Sequence, residues 1–117
     1  MVYLLCIILL GVVGFQIALI LGAPFGRLTQ GGQIEGALPP KSRVIAALSI
    51  VVLAAIALSM LSADGQWPNW PRWTAWLGAA VLAVSTLLNW VTPSQAERKL
   101  WGPVMAVTLI LAVMVLV

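Results

Sequence analysis

The sequence predicts an all-α, polytopic membrane protein with four transmembrane helices in an up-down bundle, and three observations carry that prediction. Residues 1–26, 44–63, 73–96 and 100–117 contain no charged side chain. Each stretch matches or approaches the roughly 20 apolar residues that cross a hydrocarbon core of about 30 Å. All nine charges lie between these stretches, in three connectors. Charged residues make up 8% of the chain and hydrophobic ones 62%, against about 25% charged in soluble domains, too little polar surface to solvate a globule. At 117 residues, four helices at 1.5 Å per residue use nearly the whole chain, so residues 1–117 form a single integral membrane domain.

The helices are expected at about 2–22, 42–63, 71–91 and 95–117. The first stops at Gly22 and Pro24, where a missing Cβ and a missing N–H end a helix. Its apolar run is too long for a signal-peptide core of about 7–15 residues and lacks a basic leader, so it reads as a retained span. The second follows Pro39 and Pro40, with Lys41 or Ser42 in its first turn, and Asp64-Gly65 close it. Pro71 suits the first position of the third helix. Ser94-Gln95-Ala96-Glu97 matches a capping box at the start of the fourth, and Gly102-Pro103 inside that helix predict a kink that serves packing.

Connectors 1 and 3 share a side of the membrane and hold Arg27, Lys41, Arg43, Arg98 and Lys99, whereas connector 2 holds Arg72. The positive-inside rule then places connectors 1 and 3 in the cytoplasm and both termini outside it. Seven of the nine charges gather at this edge, which makes it the first place to look for a chemical site. The net charge of +3 is dispersed beside apolar spans, a membrane pattern rather than a nucleic-acid face. Histidine is absent and Cys6 is the single cysteine, which removes the commonest base and metal ligand and any intramolecular disulfide. No catalytic or metal-ligating residue is assigned, and no cofactor can be named.

Three groups of residues are candidates for contact with other molecules. Gln16, Ser85 and Asn89 are polar groups within spans and form a candidate ligand-binding patch; the alternative is interhelical hydrogen bonding. Arg27, Lys41, Arg43, Arg98 and Lys99 are candidates for lipid head-group or anion contact at the anionic inner leaflet. Gly11, Gly14, Ala18 and Gly22 share a narrow sector of helix 1 and could support close contact, within the chain or by self-association. In helix 3, Gly78, Ser85, Asn89 and Thr92 share another sector.

Connector 1 is long for so small a bundle, and Gly26, Gly31, Gly32 and Gly36 would let amides converge on an anion. A P-loop is rejected, because Pro40 stands where a glycine precedes the lysine and Glu35 stands at the first glycine position. In connector 2, Trp67, Trp70 and Trp73 recur every third residue with prolines between. They could line one side of a polyproline II segment, although an interfacial aromatic belt is the simpler reading; Trp90 and Trp101 would mark the opposite interface.

The tract Gly22-Ala-Pro-Phe-Gly-Arg, with Gly31-Gly32, Gly36, Leu38-Pro39-Pro40 and the later Thr92-Pro93-Ser94-Gln95-Ala96-Glu97-Arg98 and Trp101, resembles a group of small uncharacterised bacterial inner-membrane proteins. That resemblance spans most of the chain and implies four membrane helices and a bacterial inner membrane, with no activity or site to carry over. In size and helix count the chain is also similar to small multidrug-resistance transporters. It departs from them at the membrane-embedded Glu of their helix 1, where this helix has Gln16. The expected function is a non-enzymatic membrane protein that binds or passes a small apolar or lipidic molecule. The alternatives are an accessory or structural subunit of a larger membrane complex, or a small exporter-like transporter lacking that Glu.

Overall fold

The structure, a computed structural model, describes residues 1–30 and 36–117. Four helices run up and down in sequence: α1 (Val2–Ile20), α2 (Pro40–Ala63), α3 (Arg72–Val91) and α4 (Gln95–Leu116). A 3₁₀ turn, Gly26–Leu28, lies in connector 1. The helices are 19 to 24 residues long, about 29 to 36 Å at 1.5 Å per residue, and all four are long and apolar enough to cross a membrane.

Their outward faces carry Ile7, Leu10, Leu48, Val51, Leu87 and Ile110, all more than half exposed. A helix apolar on every side is suited to lipid rather than water. The buried interior is narrow by comparison. Leu5 and Leu9 of α1, Met60 of α2, Leu82 of α3 and Thr108 of α4 are fully enclosed. The most extensive packing joins α1 to α2 and α3 to α4, while α2–α3 and α1–α4 contacts close the ring.

The helix ends show how local chemistry sets the frame. Both α1 and α2 finish in a Schellman motif. In α1, Gly22 takes φ +100°, its N–H donates to Leu19 O at 3.2 Å and the Ala23 N–H to Ala18 O at 3.0 Å. In α2, Gly65 takes φ +83°, its N–H donates to Ser62 O at 3.1 Å and the Gln66 N–H to Leu61 O at 3.0 Å. The left-handed residue cannot continue a helix, so α1 stops at Ile20, two residues before the expected limit.

Two prolines exchange the roles expected of them. Pro40 occupies the first turn of α2, where its missing N–H would have had no partner, and Pro39 before it is held extended. Pro71 is instead the N-cap of α3, with a non-helical ψ of 143°. At α4, Ser94 Oγ accepts from the Glu97 N–H at 3.2 Å, the Ser94 half of the expected capping box. The helix runs unbroken through Pro103.

Arginines bind further helix ends together. Arg72 donates through Nη2 to Leu116 O at 2.6 Å and through Nη1 to Ala63 O at 3.3 Å, placing one cation at the negative ends of α4 and α2. At the other end of the bundle, Arg43 donates to Leu38 O at 2.7 Å and Ile20 O at 3.4 Å. Hydroxyls within the spans mostly turn on their own helix: Ser59 donates to Ile56 O at 2.7 Å, Ser62 to Leu58 O at 2.8 Å and Thr108 to Val104 O at 2.8 Å. Thr86 also reaches across, donating to Met105 O of α4 at 3.2 Å.

Candidate functional site

The α2–α3 pair is tight at one end and open at the other. Near connector 2, Gly78 lies so close to α2 that a Cβ there would sit 3.0 Å from Ser59 Oγ and 3.6 Å from Met60 Cε. Toward connectors 1 and 3 the helices diverge around a cavity of about 720 Å³, within the range of about 300–1,000 Å³ typical of small-molecule sites. Ile45, Leu48 and Val52 of α2 and Leu88 and Val91 of α3 line it and are also largely exposed. The cavity is therefore a lateral groove whose mouth lies between α2 and α3, on the lipid side.

Its floor and roof come from the other elements. Val12 and Gln16 of α1 and Trp101 and Met105 of α4 form the floor, and Leu28, Thr29 and Gln30 of connector 1 cover one end. The roof is fastened by aromatic packing. Phe15 stacks on Phe25 at a centroid distance of 6.3 Å and meets Trp101 edge-on at 4.8 Å, while Trp101 Nε1–H donates to Leu28 O at 2.8 Å. Gln30 Nε2 donates to Ser42 O at 3.0 Å. The Gly26 N–H donates to Gly36 O at 2.8 Å, drawing the neck of the loop together and occupying one amide expected to face an anion.

Gln16, Ser85 and Asn89 all line this one groove. Gln16 Oε1 is buried with no hydrogen-bond partner among the described residues. Asn89 Nδ2 donates to Ser85 O, one turn back in its own helix, at 2.7 Å, so the contact to a neighbouring helix is made by Thr86 instead. Glu97, 7% exposed, also lines the groove and went unassigned as a site residue because its place in a capping box explained it. Its spacing of four from Trp101 and eight from Met105 puts the three on one helix face, the signal that connects it to the groove.

The basic candidates divide. Arg43 and Arg98 point guanidinium groups at backbone carbonyls, Arg98 Nη1 reaching Thr92 O at 3.3 Å, whereas Lys41 and Lys99 are exposed. The side chain of Arg27 lies outside the described residues, as do Gly31, Gly32 and Glu35. On α1, Gly11 and Gly14 face outward, and a Cβ at either would meet nothing within 4 Å among the described residues; the close contact expected of these two glycines is not made there.

Two aromatic expectations change. Trp101 faces inward to hold the loop, while Trp90, half exposed, lays its ring over Gly102, 3.1 Å from where a Cβ would be. In connector 2, a turn closed by the Asn69 N–H on Gln66 O at 3.0 Å interrupts the extended run that would have aligned the tryptophans. Trp67, Trp73 and Trp76 stand exposed, as an interfacial belt requires. No protein-family model matches the chain, nor does any curated protein or solved structure.

Proposed function

We propose that the protein binds or passes a small apolar or lipidic molecule through the groove between α2 and α3. What supports this is the mouth of the cavity: its rim residues belong to the lipid-facing surface, so a bilayer molecule can enter sideways without crossing water. The mostly aliphatic walls favour an alkyl chain, and their few polar groups at one end match the pattern of small-molecule sites. The proposed setting is a bacterial inner membrane with connectors 1 and 3 cytoplasmic and both termini outside, on the distribution of basic residues. In that orientation exposed Lys41 and Lys99 meet anionic head groups at the groove's end, with Arg27, Arg43 and Arg98 nearby in sequence.

Native mass spectrometry of the detergent-extracted protein tests the reading. The wild type should retain lipid-sized adducts, and Val81→Trp, which fills the groove from α3, should lose them while keeping the thermal unfolding midpoint. A wild type that retains no adduct, or a filled groove that retains the same adducts, would overturn it.

A further inference from the structure

The depth of the groove says which leaflet its occupant comes from, an inference that rests on the lipid-binding reading above. On three helices the lining stops at the midpoint. Val12 is its deepest residue on α1, Val81 on α3 and Met105 on α4. They lie about 12, 15 and 15 Å from the helix ends beside connectors 1 and 3, at 1.5 Å per residue. One leaflet is half of a hydrocarbon core of about 30 Å, or about 15 Å. On α2, the longest helix, the lining reaches Ile56, about 10 Å short of the end at Ala63.

The other half of the bundle is closed. Leu5 and Leu9 of α1, Met60 of α2, and Ala75 and Ala79 of α3 belong to one buried apolar cluster. At Gly78 a Cβ would lie 3.0 Å from Ser59 Oγ. A chain arriving from the connector 2 side therefore meets packed interior, and parting α2 from α3 there forfeits the van der Waals contacts that associate membrane helices. From the connector 1 and 3 side the way is open, because Leu48, Val52 and Leu88 line the groove and are also exposed to lipid. Exposed Lys41 precedes the rim residue Ile45 by four positions, on the same face of α2. A cation thus stands one turn above the rim, at head-group level.

We infer that the groove is a blind, single-leaflet site: it takes an acyl chain of a phospholipid from the leaflet beside connectors 1 and 3, with the phosphate toward Lys41, and offers the opposite leaflet no entry. In the positive-inside orientation this is the cytoplasmic leaflet. Of binding and passing, such a site serves binding. A head group carried on through the closed half would lose its hydration among apolar side chains.

Photocrosslinking of the full-length protein in preformed vesicles tests this. The probe is a lysophospholipid with a diazirine at the end of its chain, added from outside so that it enters the outer leaflet. After photolysis, an impermeant amine reagent marks each molecule's orientation, on Lys41 and Lys99 at one end or on the Met1 amine at the other. Val12 and Met105 are buried in the groove's floor, so crosslinks there report entry, whereas exposed Leu10 on α1 reports contact with surrounding lipid. Floor crosslinks are expected only in lysine-marked molecules. Val81→Trp should lose them and keep those on Leu10; Leu48→Trp, filling the groove from α2, provides the same comparison if Val81→Trp fails to fold. Floor crosslinks in Met1-marked molecules overturn the leaflet restriction and leave lipid binding standing. Crosslinks on Leu10 with none on the floor in either orientation, or floor crosslinks that survive a filled groove, overturn both.

Discussion

One stripe of α3, running through Gly78, Ser85 and Asn89 toward Thr92 at its C-cap, meets two different environments. At Gly78 the helix comes so near α2 that an added Cβ would press on Ser59 Oγ at 3.0 Å and lie in contact with Ile56 and Met60 at 3.6 Å. Two turns on, at Ser85, the same stripe borders the groove. The difference teaches that a small or polar residue within a span serves contact or cavity according to where the partner helix lies. In a membrane, close packing between helices supplies much of the association that water would otherwise drive, so the tight end holds the pair together while the other end remains open.

The strongest way to break this contrast is to wedge the tight end. Gly78→Leu should destabilise the detergent-solubilised protein by about 1–3 kcal/mol, the usual cost of overpacking, read as a lower thermal unfolding midpoint. The smaller Gly78→Ala should be relieved by Ser59→Ala, since Ser59 Oγ is the nearest atom to the new methyl; additive losses in a double-mutant cycle would show that the two do not meet. Next in size, Arg72→Gln removes the donors joining the ends of α2 and α4 and should cost about 1 kcal/mol, with faster hydrogen exchange at the last turn of α4.

A finer contrast separates neighbours on α3. Thr86→Val should lower stability by about 0.6 kcal/mol, an average for a hydrogen bond between membrane helices, and leave lipid adducts unchanged. Asn89→Leu, which removes a bond within its own helix, should leave the unfolding midpoint near wild type and alter adduct retention. The reverse pattern would make Asn89 the interhelical tie. The smallest effect is expected on α1, where Gly14→Ala should be neutral or stabilise by up to about 1 kcal/mol, because alanine is the better helix former and no atom is in its way. A marked loss of stability there would place a second copy on the glycine face.

Much of this was legible before any coordinates. The charge-free stretches specified four helices and their solvent, because hydrocarbon tolerates neither free backbone groups nor unpaired charge. Gly22, Gly65 and Ser94 announced helix ends through local geometry, which depends on a few adjacent residues. Gln16, Ser85 and Asn89 stood out by polarity alone, and they share one groove. Thr86 did not, since a threonine in a helix usually bonds its own turn, and its second acceptor is on another helix. Glu97 is accounted for locally by the capping box, and the face it shares with Trp101 and Met105 gains its meaning only where the bundle turns that face toward the groove.

The chain's composition and spacing determined the membrane environment, the number of spans and where most of them stop, all consequences of local chemistry and of transfer between water and lipid. Packing decided which faces meet. Helices apolar on every side carry no sequence stripe to mark an interface. It therefore took the assembled bundle to turn the α1 glycines outward, draw Trp101 in beneath connector 1 and part α2 from α3 around a groove.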